Sequence, residues 1–202
     1  MHNQNNLNNT INAYNTHDSW ALWEVPTESL SQKSDQERQV LFGACYKENV
    51  FPIDALSDFK LSDVKYVLVG LNPGNEGVHT ENGHQFLNFH GKKKSMDYRL
   101  AAALYGTELW GAFMTDLVHV NESDSNQVAA SKAEVLRVDK HLDELHIPES
   151  AVLVGIGAAT SSYLEKYAQR RVEKIPHYSG ANGHWNATKT RQAIQKIVDT
   201  TL

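Results

Sequence analysis

Cysteine is almost absent: Cys45 stands alone among 202 residues. A single thiol excludes an internal disulfide, a cysteine-ligated zinc site and a four-cysteine iron–sulfur cluster. Its setting, LFGACY, reads as a buried helix face, where cysteine behaves as a small core residue. A reducing cytoplasm is the expected location. Positive charge is not in excess either: the formal charge of −5 gives no general attraction to nucleic acid. Basic residues gather only locally, at Lys92-Lys93-Lys94, Arg170-Arg171 and Lys189 with Arg191. No apolar run approaches the roughly 20 residues of a membrane span, so no membrane partner is expected. The opening MHNQNNLNNTINAYN is polar and Asn-rich, with no basic stretch leading into an apolar one, so no secretory signal is expected. Residues 1–17 read as a flexible leader and 18–202 as a single domain, long enough for one sizeable core.

The common nucleotide fingerprints are missing as well. G-x-x-x-x-G-K-[ST] occurs nowhere, and Gly70, Gly74 and Gly77 lack the G-x-G-x-x-G spacing. Gly155-Ile156-Gly157 follows a strand and opens a helix, but close helix–strand packing explains it without a dinucleotide. His79, His84 and His90 have ligand chemistry without ligand spacing, so neither metal nor cofactor is expected.

What the chain does have is alternation. SQKSDQERQVLFGACYKE has Val40, Leu41 and Ala44 at helical spacing. KYVLVG is a short, all-apolar strand of the kind covered on both faces in parallel sheets. SMDYRLAAALYG reads as a helix with Ser95 as a possible N-cap, and LWGAFMTDLV as a second strand ending near Asp116. SKAEVLRVDKHLDELHI carries Ser131 and Glu134 at capping-box spacing, with Val135, Val138, Leu142 and Leu145 on one face. AVLVGIG is a third strand, AATSSYLEKYAQR a helix, RVEKI a fourth strand, and TKTRQAIQKIVDTTL a closing helix. This order predicts an α/β three-layer sandwich around a four-stranded parallel sheet. Ligands bind such sheets beyond the carboxyl ends of the strands. The chemically loaded segments, LNPGNEG, MTDL and PHYSGANGHWN, all fall at those ends.

Two of these segments carry a resemblance. GLNPG, Gly70 to Gly74, and His177-Tyr178-Ser179-Gly180 resemble the paired motifs of the uracil-DNA glycosylase superfamily, closest to its mismatch-specific and single-strand-selective monofunctional branches. The first motif there has the form G-[IM]-N-P-G and the second [HN]-P-S. The resemblance spans roughly Val64 to Val118 and Ala151 to Trp185. It implies a uracil-DNA glycosylase-like fold, no cofactor, a monomer, and DNA containing a damaged base as partner. It implies that Asn72 positions the hydrolytic water, while Gly70, Leu71, Pro73 and Gly74 shape the base pocket. Phe86, in Gly83-His84-Gln85-Phe86, would stack on the extruded base. His177 would hydrogen-bond the departing base, and Ser179 would contact a DNA phosphate beside a tip made by Gly180, Ala181 and Asn182. The chain departs from the family in three places. Tyr178 stands where proline is usual, the tip has no large wedge, and Asp116 falls near the asparagine that reads uracil's edge. The implied activity is hydrolysis of the N-glycosidic bond of uracil or a related deaminated base. A catalytically weak nucleic-acid-binding member of the fold and a nucleoside or nucleotide hydrolase stay open as alternatives.

Overall fold

The computed structural model describes residues 17–56, 59–74, 86–122, 124, 127–179 and 185–201. Its elements, in chain order, are β1 (Ser19–Trp20), α1 (Asp35–Cys45), β2 (Tyr66–Gly70), α2 (Tyr98–Leu104), β3 (Phe113–Asp116), α3 (Lys132–Glu144), β4 (Val152–Ile156), α4 (Ala158–Tyr167), β5 (Val172–Ile175) and α5 (Ala187–Asp199). The leader expected over residues 1–17 lies, except for His17, outside the described residues.

Five strands form one sheet in the order β1-β3-β2-β4-β5, which corrects the expected four. The four anticipated strands are parallel, and β1 adds an antiparallel edge by pairing Ser19 with Met114 and Trp20 with Phe113. Two residues carry too little period for a strand to be read from sequence.

Strand alternation divides the core in two. Tyr66, Leu68, Met114, Val152, Val154 and Ile156 join one apolar cluster with residues of α2 and α5. Val67, Val69, Phe113 and Leu153 join a second with Val135, Val138 and Leu142 of α3 and Leu164 of α4. The sheet is therefore covered on both faces, which is why β2 and β4 read as unbroken apolar runs. The helix α3 buries Val135, Val138 and Leu142 as its period requires. At its start Ser131 Oγ accepts from the Ala133 N–H.

The expected face of α1 needs correction. Val40 is 62% exposed, and Gln39, Phe42 and Gly43 are buried instead. A β-carbon at Gly43 would lie 3.1 Å from the Tyr98 ring, so the glycine lets α1 approach α2 closely. Gly155 does the same on the other face, where a β-carbon would stand 2.9 Å from the Ser161 Cα of α4. Packing thus accounts for Gly155.

In this order β3 lies on one side of β2, and β4 and β5 on the other. Consecutive connections diverge between β2 and β4, the switch point beyond whose carboxyl ends open α/β sheets bind their ligands. GLNPG leaves the first strand there. Gly157 leaves the second.

Candidate functional site

Beyond β2 the ladder with β3 continues into the loop. Gly70 pairs with Asp116, the Leu117 N–H donates to the Gly70 carbonyl, and the Val118 N–H donates to that of Leu71. This fixes the backbone just before Asn72. The Asn72 amide nitrogen then donates to the carbonyls of Pro73 (2.9 Å), Val120 (2.9 Å) and Glu122 (2.7 Å). Pro73 is buried, and its carbonyl also accepts from the Glu122 N–H. Gly74 is exposed. With Nδ2 committed to the backbone, the acceptor Oδ1 is the atom that Asn72 offers to a water.

His177 lies at the end of β5, against Gly157 at the end of β4, where a β-carbon on the glycine would come within 3.2 Å of the histidine Cβ. Gly157 has φ +90°, a left-handed backbone that favours glycine. The Ser179 N–H donates to His177 Nδ1 at 3.0 Å, so that nitrogen carries no proton. Burial lowers the pKa of the ring, which is neutral with its hydrogen on Nε2. Tyr178 stacks on it at 4.7 Å between centroids and is itself 9% exposed, within the core shared with α2 and α5. A rigid aromatic wall therefore supports His177 where the resembled motif has proline. Arg99 of α2 donates from Nη1 to the Tyr178 carbonyl at 3.2 Å and pins the loop from below. Gly180, Ala181 and Asn182 lie outside the described residues.

The stacking role expected of Phe86 does not survive. Phe86 is 3% exposed and packs against Phe51, 5.5 Å between centroids, in the core covered by α3 and α4. The half-buried ring at the rim is Phe89, whose edge would lie 2.9 Å from a β-carbon on Gly70. Both residues have positive φ, +60° and +65°, so the FLNF turn swings them apart. Asn88, between them, is 4% exposed. Its amide donates to Asp116 Oδ2 at 2.7 Å and to the His17 carbonyl at 2.6 Å. Neither Asn88 nor Arg99 was visible as a site residue in the sequence. A second aromatic three residues after Phe86 was the one signal for Phe89.

Asp116 is 1% exposed. Burial pushes its carboxyl up to about 7, against the pull of the Asn88 hydrogen bond. Asp97, before α2, is equally buried and is also pushed up to about 7, although it accepts from Tyr46 Oη (2.6 Å) and Trp23 Nε1 (3.4 Å). Both carboxyls raise the Tyr178 phenol pKa after burial has done most of the work. A cavity of about 310 Å³ lies at the other end of the sheet, between Phe59, Tyr66 and Trp110, away from these residues. Among the described residues no group of His, Cys, Asp and Glu is arranged to hold a metal ion.

These two carboxyls have a measurable consequence. In the unfolded chain an aspartate ionises near pH 4, well below the folded value, so the unfolded state releases its proton first. Stability from each group is therefore present below about pH 4 and is lost as pH rises through about 7. His90, dropped by burial to about 3, acts oppositely and loses stability as pH falls below about 6.5. Between about pH 5 and 7.5 the Asp97 term amounts to roughly 2–3 kcal/mol. Urea denaturation of Asp97→Asn should show a smaller loss than wild type over that interval, by about this amount. Equal losses would mean that Asp97 is ionised in the folded protein.

No family model matches the chain, and no curated protein is significantly similar to it. No described helix is long and apolar enough to cross a membrane.

Proposed function

We propose that the chain is a monofunctional DNA glycosylase with a uracil-DNA glycosylase-like fold, hydrolysing the N-glycosidic bond of uracil or a related deaminated base in DNA. The observation that carries this reading is the pair of prepared side chains at one rim. Asn72 has its amide nitrogen tied down and its oxygen left to hold a water. His177 has Nδ1 occupied and presents Nε2–H as a donor.

Cleaving an N-glycosidic bond builds positive charge on the sugar and negative charge on the base. A donor aimed at the base oxygen is worth more in that transition state than before it. A neutral imidazole can fill this role from a fixed position. Asn72 is no base, since an amide does not ionise usefully, but an oriented water suffices once the bond is largely broken. A base in a duplex must first leave the stack, at a cost of a few kcal/mol, and Phe89 supplies a ring against which part of that is recovered. Direct hydrolysis leaves an abasic site.

A catalytically weak nucleic-acid-binding protein is the second reading, favoured by the burial of Asp116, which withholds its carboxyl from a base. Single- and double-stranded oligonucleotides bearing one uracil, treated with alkali after incubation, separate the possibilities. Strand scission is the expected result, retardation without scission supports the binding protein, and free base from nucleosides alone supports a nucleoside hydrolase. Binding should weaken with salt by on the order of two to four released ions, the slope of phosphate contacts made by local lysines on an acidic chain. Affinity that ignores salt would contradict a DNA partner.

A further inference from the structure

We propose that His17, His119 and Arg137 form a phosphate-binding site at the carboxyl rim beside Asn72, and that it takes a backbone phosphate of the strand carrying the target base. The assignment to a DNA strand rests on the glycosylase reading above. The three residues are far apart in the chain and meet through topology. Because β1 runs antiparallel to β3, the residue before β1 lies beside the residues after β3. The His17 and His119 rings stack there, 3.8 Å between centroids and 9° from parallel. Arg137 of α3 donates from Nη2 to the carbonyls of Asp116 (3.2 Å) and Leu117 (2.8 Å), which fixes its guanidinium at the same strand end. The Val118 N–H donates to the Leu71 carbonyl, and the Val120 carbonyl accepts from Asn72 Nδ2. His119 is thus held between two residues bonded to the GLNPG segment.

The cluster is open to solvent: His119 is exposed, and His17 and Arg137 are half-buried, so a ligand can approach it from outside. Among the described residues Arg137 has no carboxylate within ion-pair distance. The negative groups that act on it are engaged elsewhere. Asp18 Oδ2 is paired with His141 Nε2 at 2.7 Å, Glu134 accepts from Ser131 Oγ, and Asp116 Oδ2 accepts from Asn88. Burial lowers the pKa of both stacked rings, that of His119 to about 3. Arg137 and His141 push both the same way, and Asp18 opposes them at His17. The rings are therefore neutral N–H donors beside one guanidinium, and a field that repels protons attracts an anion. His17 Nδ1 is buried without a partner, so its hydrogen sits on Nε2, where an acceptor can meet it. A phosphate suits this set, because its oxygens accept from a guanidinium fork and from imidazole N–H groups together. On a chain with a net charge of −5, such a site supplies locally the attraction that the whole molecule lacks.

The test begins with inorganic phosphate titrated into the full chain and followed by NMR of the histidine ring carbons, assigned by their loss in His17→Asn and His119→Asn. Both rings should shift and saturate with phosphate but not with chloride at equal ionic strength, and their titration midpoints should rise by about one unit. The ring of His146, exposed past the far end of α3, should not respond. Uracil-bearing single strands with one phosphate at a time replaced by a neutral methylphosphonate then locate the contact. One replacement near the uracil should weaken binding to wild type about tenfold and leave binding to His119→Asn unchanged. Arg137→Gln should weaken binding of the unmodified strand about tenfold and make its salt slope shallower by about 0.7. Should that variant not fold, His119→Asn, altered at an exposed position, still decides. Rings that respond to phosphate without any sensitive strand position uphold a phosphate site and overturn its assignment to the strand. A position equally sensitive in wild type and His119→Asn, or strands all bound alike with rings that ignore phosphate, overturns the proposal. None of these readouts needs base release, so a strand held through this contact and never cleaved removes the glycosylase reading and leaves the site.

Discussion

Replacing His177 with alanine should lower base release by roughly ten- to a thousandfold while leaving the fold intact, as should Asn72→Ala. For His177 the loss is that of a donor fixed by the Ser179 N–H on one side and the Tyr178 ring on the other. Its contact is made chiefly with charge that appears on the departing base, so the loss should fall on kcat more than on KM. Asn72→Ala removes the water's acceptor and also three hydrogen bonds to the carbonyls of residues 73, 120 and 122. A stability loss of about 1–3 kcal/mol should accompany its loss of rate. Asn72→Asp separates the two effects. It keeps an oxygen for the water but presents only acceptors to carbonyl groups, so stability should suffer more than orientation of the water. Circular dichroism and single-turnover base release on the three variants check these expectations. Full activity in both alanine variants would remove the assigned roles.

Gly70→Ala should destabilise the fold by overpacking the end of β2. The new carbon would sit 2.2 Å from Asp116 Oδ1 and 2.9 Å from the Phe89 ring. Asp116 does not yield easily, because its carboxyl is tied to Asn88 and its backbone pairs with Gly70 in the ladder. Overpacking of this kind costs about 3 kcal/mol, and at this chain length a melting temperature lower by roughly 6–12 °C. Val40→Ala is the contrast: an apolar residue on the outward face of α1, 62% exposed, whose loss should stay within about 0.5 kcal/mol. Thermal melts of the two variants beside wild type measure both. An unchanged melting temperature for Gly70→Ala would mean that Asp116 and Phe89 do not meet at the end of β2.

Much of the layer arrangement could be read from local pattern. YVLVG and VLVGI are all-apolar because the sheet is covered on both sides, and period alone placed Val135, Val138 and Leu142 inward on α3. Asn-Pro-Gly marked the chain's departure from β2. Features settled by long-range pairing were not legible. Ser19–Trp20 becomes a strand only because Phe113 and Met114 present a free edge to it. The inward face of α1 is chosen by the close approach of Tyr98 to Gly43, which no spacing of Val40, Leu41 and Ala44 reveals. Phe86 and Phe89 are indistinguishable as sequence, and the positive φ at each sends one ring to either side of the sheet. The bond from Asn88 to Asp116 joins residues 28 apart in the chain, and it decides how the carboxyl is held.

The measurement that bears most directly on base excision is whole-strand mass spectrometry of a single-uracil oligonucleotide after incubation with the protein, in single- and double-stranded form. The expected product is a strand that has lost uracil and gained one water with every phosphodiester intact, accompanied by free base in equal amount. That product should be strongly reduced with His177→Ala. A strand of unchanged mass in both forms, under conditions where the protein demonstrably binds it, would contradict base excision and leave a nucleic-acid-binding protein in its place.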